Sequence, residues 1–310
     1  MADKTGIAWT DATWNPTTGC SKVSAGCKNC YAEREWARLS ANPGSVYFER
    51  AFTDVMVHPE RLDQPLQWKK PRRVFVNSMS DIWHNDVPLE FIADVYLRMR
   101  LAHQHTFQLL TKRPDRRSYW WSELDKWVER KIHVYFDGGE YAYEWPLPNV
   151  WEGVSIEDQA TADERIPLLL QTPAAVRFLS VEPLLGPVNL TELGHDGDGV
   201  IDCLRGEDWI QDWYGDEQTR LIRRVVNRRE RIDWVIVGGE SGPGARPCNI
   251  EWVRDIVRQC KAASVPPFVK QLGANWTNNF VGVHTPTRDR KGADPAEWPE
   301  DVRVQEFPAK

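Results

Sequence analysis

RVFVNSMSD, residues 73–81, begins with a short run of β-branched and aromatic residues and breaks off abruptly into polar ones. A run this short, apolar on both faces and bounded by polar residues, reads as a buried strand of a parallel sheet. The same form recurs in TFQLLTKRP (106–114), NVWEGVSIED (149–158), VRFLSVEPL (176–184), DWVIVGGESG (233–242) and PFVKQLG (267–273). Segments of helical period separate these runs. Residues 88–103 open with Pro88, favourable in a first helical turn, and set Leu89, Ile92, Ala93, Tyr96 and Met99 along one stripe. Residues 249–263 open with Asn249 as N-cap and run through Trp252, Val253 and Ile256. Within ADERIPLLLQTP, Pro167 is expected to break or restart a helix. Strands alternating with helices give an α/β fold with a parallel sheet, doubly wound or closed as a barrel, and residues 1–310 read as a single domain of this kind.

In such folds ligands collect at the carboxyl ends of the strands. Here those ends supply Asn77, Ser78 and Asp81; Lys112 and Arg113; Ser155, Glu157 and Asp158; Glu182; Gly238, Gly239 and Glu240; and Lys270 and Gln271. Wet loops account for some of these. They account poorly for Lys270 and Glu182, which are embedded among apolar neighbours where a charge is seldom found without a partner. Glu240, Lys270 and His84 are the candidate catalytic groups, and Trp83, His84 and Trp151 would line the rim with aromatic rings.

Residues 191–232 interrupt the rhythm with a polar, Gly-rich stretch that then turns basic and reads as helical. This is expected to be an insertion before the sixth strand, on the active face, serving as a lid. Residues 275–310 lack a clear period and are expected to wrap irregularly around the body. A formal charge of −6 argues against a protein whose whole surface coats nucleic acid, although KKPRR (69–73), TKRPDRR (111–117) and RRVVNRRER (223–231) are local basic clusters. With no charged-then-apolar leader and no apolar run of membrane-spanning length, a soluble cytoplasmic protein without a membrane partner is expected.

Three of the six cysteines fall in TTGCSKVSAGCKNCYAE, residues 17–33, spaced C-x6-C-x2-C. Cys203, Cys248 and Cys260 are scattered, which does not suit a disulfide framework. Cys260 shares an apolar helical face with Ile250, Val253, Ile256 and Val257, as buried filler does. The clustered trio, Cys20, Cys27 and Cys30, reads as a ligand set. Iron–sulfur clusters are held by thiolates that come in tight runs, and three protein ligands on a [4Fe-4S] cube leave one iron open to bind something else. WNPTTGC is expected to hold a first strand running into this loop, and the helix expected after Cys30, with Ala32, Trp36 and Leu39 on one face, would bring free backbone N–H groups and a positive dipole end to that anion. A structural Cys3His zinc site completed by a histidine such as His84 is the other reading, and ligand chemistry alone leaves both open.

WNPTTGCSKVSAGCKNCYAE, VFVNSMSDIWHNDVP, FQLLTKRP, VWEGVSIEDQ, RFLSVEPLLGPV, DWVIVGGESGPGARP and FVKQLG, in this order over most of residues 7–273, resemble the phage-associated three-cysteine-motif proteins. That family is of uncertain function, and its members look like divergent relatives of radical S-adenosylmethionine (SAM) enzymes. The resemblance implies a partial (β/α)6 barrel with the cluster loop after the first strand, a [4Fe-4S] cluster on Cys20, Cys27 and Cys30, and SAM chelated to the open iron. Asn77, Ser78 and Asp81 would then lie where the SAM amino group is held, Lys112 or Arg113 would pair with its carboxylate, Ser155 and Glu157 would meet its ribose, and Glu182 would belong to the same rim. It also implies an external electron donor, a 5′-deoxyadenosyl radical that takes hydrogen from a substrate, and, for a phage-encoded chain, the cytoplasm of a bacterial host. The first cysteine gap is three residues longer than the C-x3-C-x2-C of the superfamily, and the aromatic residue usual before the third cysteine is replaced by Asn29, with Tyr31 following. The basic clusters with interleaved aromatics favour a nucleotide or nucleic-acid substrate. The competing function is a zinc-stabilised module that binds nucleic acid or a protein partner without catalysis.

Overall fold

All six apolar runs form strands, and the first strand expected at WNPTTGC is present ahead of the first cysteine but lies earlier, at Ala12–Trp14. The structure, a computed structural model, describes residues 5–139, 144–194, 199–214, 220–277 and 288–309. The strands are β1 (Ala12–Trp14), β2 (Arg73–Val76), β3 (Thr106–Thr111), β4 (Val150–Ile156), β5 (Val176–Val181), β6 (Trp234–Gly238) and β7 (Pro267–Gln271), and they lie in one parallel sheet in chain order. A doubly wound sheet would reverse that order at a switch point, whereas here each strand is added beside the last, as in a barrel wall. The fold is therefore a mixed α/β partial barrel, with seven sheet strands where a (β/α)6 barrel has six. Complete burial of every residue of β4 explains why these strands read as unbroken apolar runs.

The described chain divides into two compact units, Met1–Val154 with Thr172–Val176, and Ser155–Gln171 with Arg177–Lys310. The first carries α1 (Tyr31–Ser40), α2 (Leu89–Leu101) and α3 (Pro114–Tyr135). Register aligns Trp14 with Val76, Val76 with Leu109, and Leu109 with Glu152. The apolar members of this row pack with Tyr96 and Met99 of α2 and Trp121, Leu124 and Val128 of α3. The predicted stripe of α2 is buried at Ile92, Ala93, Tyr96 and Met99, and burial also takes in Phe91, Val95 and Leu97.

The second unit carries α4 (Gln159–Leu170) and α5 (Ile250–Ala262). Pro167 does not break α4. The helix is fixed at its start by a capping box, in which Asp158 accepts from Thr161 N at 2.9 Å and the Thr161 hydroxyl accepts from Asp158 N at 3.1 Å. The buried stripe of Ala162, Ile166, Leu169 and Leu170 carries it past the proline. In α5, Asn249 caps Glu251 N at 3.0 Å as expected, and Val253, Ile256, Val257 and Cys260 are buried together.

The insertion is not helical. Leu193–Gly194, Gly199–Asp202, Glu207–Tyr214 and Arg220–Arg228 pair antiparallel in a four-stranded sheet. Its β-branched and aromatic residues outweighed a run of arginines that are equally at home in helices. The turn before the third of these strands needs Gly206, whose φ is +68° and where a Cβ would meet Arg229 O at 2.4 Å. Residues 195–198 and 215–219 of the expected lid, and 278–287 and 310 of the expected wrap, lie outside the described residues. The described tail contains short 3-10 turns at Pro295–Glu297 and Glu300–Val302 and then runs beside β7, where Val269 N donates to Val304 O (2.8 Å) and Glu306 N to Pro267 O (3.0 Å). Among the described residues no helix is long and apolar enough to cross a membrane.

Candidate functional site

In the first unit, the loop from β1 to α1 is fastened to the segment that follows β2. Asn77 adopts φ +64°, a left-handed conformation that Asn tolerates better than most residues. Its backbone N donates to Trp14 O (2.8 Å) and its Nδ2 to Thr17 Oγ1 (2.9 Å), while its Oδ1 is buried with no hydrogen-bond partner among the described residues. Asn15 Oδ1 accepts from Ser78 Oγ and Met79 N, Ser80 Oγ donates to Thr17 O, and the Tyr31 hydroxyl donates to Ser78 O. Gly19, with φ +91°, passes so close to Asp54 O that a Cβ would stand 2.3 Å from it.

The three thiols follow on this loop. Cys20 is half-buried, Cys27 ends the 3-10 turn Ala25–Cys27, and Cys30 is the N-cap of α1 without capping it by its side chain. All three are free thiols. Burial, followed by the nearby Asp81 charge, pushes the Cys20 thiol up to about 11, while Arg113 acts in the opposite direction. Arg113 Nη1 lies 3.7 Å from Cys20 Sγ and 3.6 Å from Asp81, and its Nη2 donates to Ser21 O (3.0 Å) and Ser21 Oγ (2.9 Å). Asp81 also accepts from Thr111 Oγ1 (2.8 Å), Trp83 N (3.0 Å) and Lys112 N (3.0 Å), so it anchors the strand ends. His84 Nε2 stands 2.8 Å from Ser21 Oγ, and His84 Nδ1 accepts from Asp86 N at 3.2 Å. That contact places the ring proton on Nε2, and burial together with Arg113 lowers the His84 pKa, which keeps the ring neutral.

In the second unit the rim residues are held in pairs. Lys270 Nζ donates to Glu182 Oε1 at 2.7 Å, which answers why an isolated Lys and Glu occur among apolar neighbours. Arg246 grips Glu240 through Nε (3.0 Å) and Nη2 (2.6 Å), and its own pKa is raised by that hydrogen bond. Arg165 Nη1 lies 3.3 Å from both oxygens of Glu157 and donates to Ser155 O at 2.7 Å. Ser155 Oγ donates to Glu182 O, Gln271 Nε2 donates to Gly239 O, and Asp158 is the helix cap already described. Gly239 has no room for a side chain, because a Cβ would meet Leu272 O at 2.1 Å.

A family model described as "Protein of unknown function (DUF5131)" matches residues 4–300. The chain belongs to this family. The searches of curated proteins and of solved structures give no match.

Within this DUF5131 chain, then, Cys20, Asp81, His84 and Arg113 share one network, Tyr31 joins Ser78, Ser155 links the Arg165–Glu157 pair to the Lys270–Glu182 pair, and Glu240 is paired with Arg246. The sequence reading missed Ser21, Arg165 and Arg246, each of which holds a residue it had named. Among the described residues no group of three or more His, Cys, Asp or Glu side chains converges on a single metal ion. A four-iron cube is held at separate corners, so its thiolates need not meet at one point. Three free thiols on one loop, a helix start after the third and a guanidinium beside the first suit an anionic cluster.

Proposed function

We propose that this chain is an iron–sulfur enzyme of radical-SAM type acting on an unidentified substrate. The observation that carries the reading is the trio of free thiols on the short loop between β1 and α1, with Arg113 at the Cys20 sulfur. The resemblance to the three-cysteine-motif proteins supports it. When bound, such a cluster with SAM on its open iron supplies the electron that splits SAM into a 5′-deoxyadenosyl radical and methionine. Cys20, Cys27 and Cys30 would hold the cluster, and Arg113 would offset its charge. Asn77 Oδ1, buried and without a partner among the described residues, is the acceptor an amino group would need. Lys112, at the carboxyl end of β3, would meet a carboxylate. Ser155 and Glu157, which the resemblance assigns to the ribose, belong to the second unit, where Ser155 Oγ donates to Glu182 O and Arg165 holds Glu157.

The test is anaerobic reconstitution with iron and sulfide. The expected product is brown protein that, given SAM and a reductant, forms 5′-deoxyadenosine above a Cys30→Ala control. Colourless protein with stoichiometric zinc would overturn the reading in favour of a structural metal site. A cluster that yields no 5′-deoxyadenosine would overturn the SAM chemistry.

A further inference from the structure

On the first unit, an open-sided cleft of about 600 Å³ is lined by Asn85, Asp115, Arg116, Tyr119 and Trp120. Tyr119 is 76% exposed, more than any other large apolar side chain of the described residues. An exposed ring is ordinary by itself, but the setting of this one is specific. Trp120 packs partly against the core and meets the Tyr119 ring edge-on, with centroids 4.9 Å apart and planes at 88°. The tyrosine is thus steadied from one side while most of its surface faces solvent. Beside it, Arg116 donates through Nη1 to His84 O and through Nη2 to Val87 O (2.7 Å). Those bonds fix the guanidinium in place and leave further N–H donors for a ligand.

We propose that this cleft takes one nucleotide of a single-stranded nucleic acid, with the base stacked on Tyr119 and its phosphate at Arg116. A planar ring steadied by a second ring suits any base, because every base has a π-face, and an oriented guanidinium suits phosphate oxygens. Asp115 only accepts hydrogen bonds, so with Asn85 it suits the N–H-bearing edge of a base and not the phosphate. The volume exceeds that of a lone base, and open sides let a strand enter and leave. The cleft also adjoins the cysteine loop, since the histidine whose carbonyl holds Arg116 has its ring on Ser21, next to Cys20. This assignment names the substrate class of the proposed enzyme and rests on that reading for its chemistry, but the binding itself requires no cluster.

The experiment is fluorescence anisotropy of a labelled single-stranded oligonucleotide titrated with cluster-free full-length protein at low salt. Wild type is expected to bind, Tyr119→Ala to weaken binding roughly 5- to 150-fold, the range set by one lost base stack, and Tyr119→Phe to restore it. With Tyr119 so exposed, its truncation leaves the core intact. Absence of wild-type binding, or equal binding by Tyr119→Ala, would overturn the proposal, and a mononucleotide binding as tightly as the strand would overturn the claim of a strand. Oligonucleotide binding without 5′-deoxyadenosine formation sinks only the enzyme reading, and the reverse result sinks only the cleft.

Discussion

Asp81 accepts from two backbone N–H groups and the Thr111 hydroxyl, faces Arg113, and is only 6% exposed. Replacing it with alanine strands all of these partners at once, so Asp81→Ala is expected to cost about 3–5 kcal/mol in urea unfolding, the range for removing one member of a buried pair. Asp81→Asn, which keeps an acceptor, should cost less; equal losses would show that the hydrogen bonds carry nothing. The sequence made Asp81 visible because a carboxylate closes an apolar run, and the structure adds its role as an anchor of the strand ends. Lys270 and Glu182 were visible for a similar reason, since neither charge could stay among apolar residues alone. Ser21 and Arg246 were not, because a serine or arginine in a loop is ordinary until a long-range contact gives it a partner.

At the scale of the element, α4 sets a strong cap and an apolar stripe against an interior proline. Asp158→Ala should lower stability by about 0.5–2 kcal/mol in urea unfolding, the usual cost of a lost N-cap. Pro167→Ala should raise it, by no more than the ~3 kcal/mol a proline costs in a helix interior; a loss would mean that the turn is shaped to the ring. Glu152 poses a different problem, because register points it into the helix layer beside Leu109. There the Tyr96 hydroxyl donates to it at 2.5 Å and Arg117 Nη1 at 3.2 Å, while Arg117 Nε and Nη2 are buried without partners among the described residues. Burial raises the Glu152 pKa despite Arg117, and it raises that of Tyr96 further. Glu152→Leu or Arg117→Met alone is expected to cost about 3–5 kcal/mol and the double variant far less, because only the single changes leave an uncompensated charge. A urea double-mutant cycle checks this, and additive losses would overturn it. The strands and α2 and α5 were legible because period and length agree there. The insertion was not, because arginine-rich strands have a helical composition and their pairing is long-range.

For the molecule as a whole, the buried histidines set the response to acid. His58, His84 and His105 each have a pKa lowered from 6.5, chiefly by burial. The unfolded chain therefore takes up protons first as pH falls through that value, so stability is present above it and is lost toward the lower folded values. The thermal midpoint should drop from neutral to mildly acid pH, and a flat midpoint would overturn the argument. The succession of runs showed which segments form the barrel wall but left its order open between a doubly wound sheet and a barrel, and the first strand was expected at WNPTTGC whereas it lies at Ala12–Trp14. That succession also leaves β7 last in line, with an outer flank of backbone groups that would otherwise bind whatever strand they met. Residues 304–306 occupy that flank and act as a built-in guard against self-association. A chain cut before Val304 should keep its sheet yet form concentration-dependent aggregates by light scattering, and a truncated chain that stays monodisperse would show that the guard is not needed.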